Sequence, residues 1–142
     1  MKKYKIGYTS GVYDLFHVGH LNLLKRAKEE CEHLIVAVST DELVLEYKHK
    51  KPIIPFEERK AIVDSIKYVD EVVIQENRDK IAAFEKYKFD VMFVGDDWKG
   101  NSLFTQTEDF LIARGSCVRY LSYTKNTSSS KLNQIIDKLL TE

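Results

Sequence analysis

Nothing in this chain spaces cysteines as metal ligands: its two thiols, Cys31 and Cys117, stand alone and far apart. A cysteine zinc site and a disulfide framework are thereby excluded, and the expectation is a reducing, cytoplasmic setting with both thiols buried and inert. Charge of one sign is missing as well. Lysine plus arginine number 22 and aspartate plus glutamate number 22, for a formal net charge of 0. No broad basic surface for nucleic acid is implied, although a local positive pocket remains open. No apolar run approaches the length of a membrane span and nothing resembles a signal peptide, so no membrane insertion is expected. Neither GxGxxG nor the GxxxxGK[ST] phosphate loop occurs, nor do the GxSxG and HExxH signatures. With no repeat, low-complexity tract or linker, residues 1–142 read as one domain, and a hydrophobic fraction of 44% suits a soluble core.

What the chain has is a regular alternation of strand and helix signals. Lys5 to Thr9 has strand character, Ser10-Gly11 breaks it, and a helix pattern runs from Val18 to Cys31 through Leu21, Leu24 and Ala27. Leu34 to Val38 is a nearly continuous apolar run, as in a parallel strand covered on both faces. Ser39-Thr40-Asp41 supplies capping types for a short helix over Glu42 to Glu46, followed by a basic loop, Tyr47 to Pro52. Helices are expected at Phe56 to Ile66, Arg78 to Tyr87 with Asn77 as its cap, and Phe104 to Arg114. Strands are expected at Val69 to Ile74, Asp90 to Val94 and Cys117 to Leu121. A hydroxyl-rich segment, Tyr123 to Ser130, leads into a last helix with an apolar stripe. The predicted fold is α/β, a doubly wound, mostly parallel sheet with short crossovers.

The chemistry concentrates at the first strand-to-helix junction. His17 and His20 lie three apart where the helix begins, and Gly19 between them leaves backbone open to a bulky anion. A strand end, a glycine turn and a helix start together make a seat for phosphate. A zinc site on His17, His20 and Asp14 is the weaker alternative.

Gly11 to His20, GVYDLFHVGH, resembles the signature of the cytidylyltransferase superfamily, with its HxGH core at His17, Gly19 and His20. Five more segments stand in the order seen in bacterial glycerol-3-phosphate cytidylyltransferases: Ser39-Thr40-Asp41, the lysines before Pro52, FEERK at Phe56 to Lys60, YVDEV at Tyr68 to Val72, and GDDW at Gly95 to Trp98. The resemblance covers nearly the whole chain and implies a Rossmann-like HxGH nucleotidyltransferase fold. It implies transfer of the cytidylyl group of CTP to glycerol-3-phosphate, giving CDP-glycerol and pyrophosphate. Phosphoethanolamine, phosphocholine and polyol or sugar phosphates are alternative acceptors. An adenylyl donor and a regulatory protein that binds nucleotide without turnover are the other readings.

On that resemblance His17 and His20 contact the reacting phosphates, and Lys48 and Lys51 of the basic loop bring positive charge to them. Arg59 binds phosphate, against the alternative of an ion pair with Glu58 or Asp64. Thr9, Ser10, Gly11, Tyr13, Asp14 and Gly19 border the nucleotide, with Asp14 also the candidate beside magnesium. Asp96, Asp97 and Trp98 border nucleotide and acceptor, and Tyr123, Thr124, Ser128, Ser129 and Ser130 form the closing phosphate loop. There the chain departs from the family's RTDGISTT or RTEGISTT: Tyr123 replaces arginine and Asn126 replaces glycine. The resemblance also implies magnesium with CTP, a homodimer, and a product used for a cell-envelope polymer such as teichoic acid.

Overall fold

A computed structural model describes residues 2–95, 99–122 and 129–141, without the side chains at positions 103, 129, 130 and 141. Five strands form one sheet, all neighbours parallel: β1 (Tyr4–Gly11), β2 (Cys31–Ser39), β3 (Glu71–Gln75), β4 (Val91–Gly95) and β5 (Cys117–Leu121). The helices between and after them are α1 (Val18–Glu30), α2 (Asp41–Lys48), α3 (Phe56–Asp64), α4 (Lys80–Tyr87), α5 (Ser102–Ala113) and α6 (Ser129–Thr141).

The strand order is β3-β2-β1-β4-β5. The chain winds outward from β1 to β3, then crosses back to β4 and β5 on the other side. The carboxyl end of β1 therefore faces the crevice where the winding reverses, the usual place for a ligand in an open α/β sheet.

Alternation along the central strands divides the core into two layers. Leu34, Val36 and Val38 of β2 pack with Leu24 and Ala27 of α1, Val63 of α3, and Val91 and Phe93 of β4. Ile35 and Ala37 face the opposite side with Tyr8, Met92, Phe84 of α4 and Leu111 of α5. Both faces are covered, which is why these strands read as continuous apolar runs. Gly7 marks the tightest packing. A Cβ there would stand 2.7 Å from the Phe93 ring and 2.8 Å from Cys31 Sγ.

Several boundaries differ from the sequence reading. β1 continues through Ser10 and Gly11, because pairing with Ala37 and Val38 of β2 outweighs the local turn preference of Ser-Gly. The turn comes afterwards, at Tyr13 and Leu15, whose φ values of 55° and 51° are left-handed. Helix α4 is capped by Asp79, which accepts from Ala82 N at 3.0 Å, and Asn77 instead accepts from Asp79 N in the preceding turn. Asn101 caps α5, which begins two residues before Phe104. Cys31 is buried as expected, while Cys117 is half-buried; both thiols are free. No helix among the described residues is long and apolar enough to cross a membrane.

Candidate active site

His17 is the N-cap of α1, and its partner in the capping box is His20. Gly19 N donates to His17 Nδ1 at 3.0 Å, and His17 N donates to His20 Nδ1 at 3.2 Å. Each imidazole thus spends its Nδ1 lone pair on a backbone amide, which fixes the proton of the neutral ring on Nε2. Burial lowers the His17 pKa. Burial, with His17 beside it, pushes His20 down to about 4, against a small opposing pull from Asp14. At neutral pH both rings are uncharged Nε2–H donors at the positive end of a helix. The Gly19 amide is the group that holds His17. His20 is steadied from the side by Tyr13, whose ring meets it edge-on at 5.4 Å. Tyr13 folds beneath Gly11, where a Cβ would approach the phenol ring to 3.1 Å.

Asp14 is buried, and both its oxygens are engaged. Ile53 N donates to Oδ2 at 2.8 Å and Ile54 N to Oδ1 at 2.9 Å. Through these bonds Asp14 clamps the far end of the lysine loop to the β1–α1 turn. No group of three or more potential ligands among the described residues could hold a metal ion.

Arg59 is an internal anchor as well. Its side chain is 0% exposed. Nε donates to Ile54 O at 2.8 Å, Nη1 to Val12 O at 2.6 Å and to Ser39 O at 2.8 Å, and Nη2 to Asp41 Oδ1 at 2.6 Å. A guanidinium spent on three carbonyls and a carboxylate has no fork left for phosphate. It bolts the ends of β1 and β2 to α2 and α3, with Asp41 as its ion partner in place of Glu58 or Asp64. Thr9 is likewise internal: its buried hydroxyl donates to Phe93 O at 2.9 Å and ties β1 to β4.

Two cavities flank the end of β1. The first, about 600 Å³, is lined by Asp14, His20 and the loop lysines Lys48, Lys50 and Lys51. The second, about 730 Å³, opens on the β3 and α5 side and is lined by Tyr47, Lys48, Gln75, Arg78, Lys80 and Asn101 among others. Ser10, Gly11, Val12, Leu23 and Lys48 belong to both walls. Lys48 thus reaches both hollows, Lys51 only the first, and Lys50 is held by an ion pair with Asp137 of α6. Arg78 and Lys80 were not singled out by the sequence reading. The available signal was two cations immediately past the carboxyl end of β3, at the sheet edge shared by the histidines.

Asp96, Asp97, Trp98, Tyr123, Thr124 and Ser128 lie outside the described residues, as do the side chains of Ser129 and Ser130, whose backbone opens α6.

The cytidylyltransferase-like family model matches residues 8–135. The chain belongs to that family. This cytidylyltransferase-like protein is 42% identical over 128 residues to the glycerol-3-phosphate cytidylyltransferase of Staphylococcus aureus (strain NCTC 8325 / PS 47), covering 89% of this chain and 90% of the relative. It is 41% identical over 130 residues to the enzyme of the same name from Bacillus subtilis (strain 168), covering 90% and 94%. Its fold matches that of the lipopolysaccharide core biosynthesis protein from Thermoplasma volcanium GSS1 with a TM-score of 0.70 at 24% identity, covering 87% of this chain and 99% of that one.

Proposed function

We propose that this protein transfers the cytidylyl group of CTP to glycerol-3-phosphate, forming CDP-glycerol and pyrophosphate. The observation that carries the reading is the pair of neutral Nε2–H donors set at the α1 N-terminus beside a lysine-lined hollow. The donor and acceptor come from the relatives' names.

The chemistry asks little of a base. A phosphomonoester carries close to two negative charges near neutral pH, so its oxygen attacks the α-phosphorus without first losing a proton. The new O–P bond forms as the bond to the bridging oxygen of the β-phosphate breaks, and pyrophosphate leaves with that electron pair. The obstacle is the meeting of two polyanions. Hydrogen-bond donors fixed in advance around the α-phosphate gain strength as charge shifts in the transition state, which is where they lower the barrier. Two imidazoles held by backbone amides suit that role because neither has to reorient or change protonation.

Magnesium belongs to this reading as a partner of the triphosphate. Its ligands would be phosphate oxygens and water, with Asp14 as the candidate carboxylate beside it. Bound there, it would offset the charge of the leaving pyrophosphate. A homodimer and use of the product in a cell-envelope polymer complete the reading and rest on the sequence resemblance, and a cytoplasmic setting rests on the cysteine usage.

The test is pyrophosphate release from CTP or ATP, with magnesium, across both glycerol-3-phosphate enantiomers and phosphoethanolamine, with product masses recorded. CDP-glycerol as the main product supports the assignment. Tight nucleotide binding with no pyrophosphate would move it to a regulatory role.

A further inference from the structure

The second cavity holds two cations that the reaction as derived above does not use. Lys80, at the start of α4, is half-buried and donates to Ser10 Oγ at 2.6 Å. Arg78 lies 4.4 Å over the ring of Tyr47, at the end of α2. Neither makes an ion pair with a carboxylate among the described residues, and no described residue lining this cavity is acidic. Asp79, between them in sequence, is turned to its own helix as the cap of Ala82 N.

Among the described residues this half-buried ammonium is met by a hydroxyl and by no carboxylate, an incomplete arrangement, since taking a charge out of water is costly unless an opposite charge meets it. The cost is visible in Lys80 itself: burial, then the neighbouring charge of Arg78, holds its pKa down at about 8. Lys48, on the wall common to both cavities, adds a third positive charge. What would complete the cluster is an anion of more than one charge. Ser10 sets its place, at the wall separating this hollow from the one that His20 lines.

We propose that Lys80 and Arg78 bind the phosphate of the acceptor in the second cavity and thereby select phosphomonoesters without a cationic tail. The inference rests on the cytidylyl-transfer reading and names the acceptor-binding residues within it. Lys80 holds the attacking phosphate at Ser10, Lys48 reaches it from α2, and Arg78 closes the opposite side. An ammonium at the far end of the acceptor meets Arg78 with like charge, which disfavours phosphoethanolamine and phosphocholine relative to glycerol-3-phosphate.

The arrangement has a signature that packing alone would not produce. At pH 8.5, above the depressed pKa of Lys80, glycerol-3-phosphate is already a full dianion and has no proton to take up. Its binding restores the charged form of Lys80, so one proton site fills from solvent. Among the described residues lining this cavity, the charged and titratable groups beside Lys80 are Arg78 from the turn before α4, and Tyr47 and Lys48 from α2. Arginine stays protonated at this pH.

The experiment is titration calorimetry of the full chain with glycerol-3-phosphate at pH 8.5 in two buffers of different ionisation enthalpy, together with steady-state kinetics. Wild-type protein, Lys80→Met and Arg78→Gln are compared. Expected are proton uptake in the wild type that disappears in Lys80→Met, and a rise of about 10- to 100-fold in the acceptor KM of each variant, the scale of one lost charge-assisted hydrogen bond. The KM for CTP stays constant, and Arg78→Gln narrows the gap between glycerol-3-phosphate and phosphoethanolamine. Unchanged acceptor affinity in both variants overturns the proposal. So does a raised KM for CTP with the acceptor unaffected, which would assign the cations to the nucleotide. Acceptor binding with Lys80-dependent proton uptake, but no pyrophosphate from CTP, would support the anion site while overturning cytidylyl transfer.

Discussion

His20 accepts the backbone N–H of His17 on Nδ1 while the two rings stack with centroids 4.1 Å apart. The motif is a helix cap, and on the proposed reaction also a pair of catalytic donors, with the two jobs using different nitrogens. His17→Asn separates them. Asparagine is a good N-cap, so the helix start survives, but the Nε2–H donor is gone. Turnover should fall roughly a hundredfold to a thousandfold, the effect of removing one positioned donor. The melting temperature should move little; a variant that melts early would mean that capping is the main role of His17.

Stability should depend on pH through the same pair. An unfolded histidine titrates near 6.5, while folded His20 titrates near 4. Between these values the unfolded chain binds more protons, so stability rises with pH through the window. His20 contributes fully above about pH 6.5, and from pH 7 to pH 5 roughly 2 kcal/mol of its contribution is lost. The lowered pKa of His17 acts in the same direction. Urea unfolding at pH 7 and pH 5, with His20→Gln as the control, reads this directly. An identical acid slope in the variant would rule out His20 as its source.

Arg59→Met should destabilise the fold by about 3 kcal/mol or more, because Asp41 and three carbonyls lose a buried cation together. Arg59→Lys should not restore it, since an ammonium lacks the planar fork that spans these acceptors. Denaturant midpoints decide the matter. A stable Arg59→Met protein with impaired phosphate binding would return Arg59 to the substrate.

Asp14→Asn leaves one of the two loop amides without an acceptor. The expected cost is about 1–3 kcal/mol in stability, with a higher KM for CTP as Lys51 loses its footing beside the first cavity. Removing magnesium by titration should affect this variant and the wild type alike. A metal requirement shifted specifically by Asp14→Asn would make the carboxylate a direct ligand.

Gly7→Ala tests the packing of the central strand. The added methyl meets Phe93 and Cys31 well inside contact distance, and overpacking of this kind typically costs about 1–3 kcal/mol. A melting temperature equal to wild type would show that the Phe93 ring can swing aside.

The parts of this site that were legible in the sequence are those made by neighbours in the chain. The spacing of His17 and His20 places both at one helix start, and the structure adds that they cap it. The parallel sheet was legible from runs such as Leu34 to Val38, whose burial on both faces leaves no polar alternation. The contacts of Arg59 were not legible, because its partners Val12, Ser39 and Asp41 are brought to it only by the sheet and two helices. Those of Asp14 were hidden similarly: nothing local reveals that residues 53 and 54 turn their amides toward it. Arg78 and Lys80 read only as the start of a helix, and it is the fold that brings Lys80 to Ser10 at the end of β1.

The left-handed residue at the end of α2, His49 with φ of 58°, has a consequence for how this scaffold can be varied. It interrupts the helix between Lys48, carried by α2, and Lys51, carried by the segment that Asp14 clamps. The two lysines hang from separate anchors, one on each side of a single turn. Lengthening or shortening that turn changes the gap between them without disturbing either anchor or the histidines. The size of the accepted substrate and the machinery of phosphate transfer can consequently drift apart in evolution, one by insertion at a hinge, the other held fixed by a helix cap.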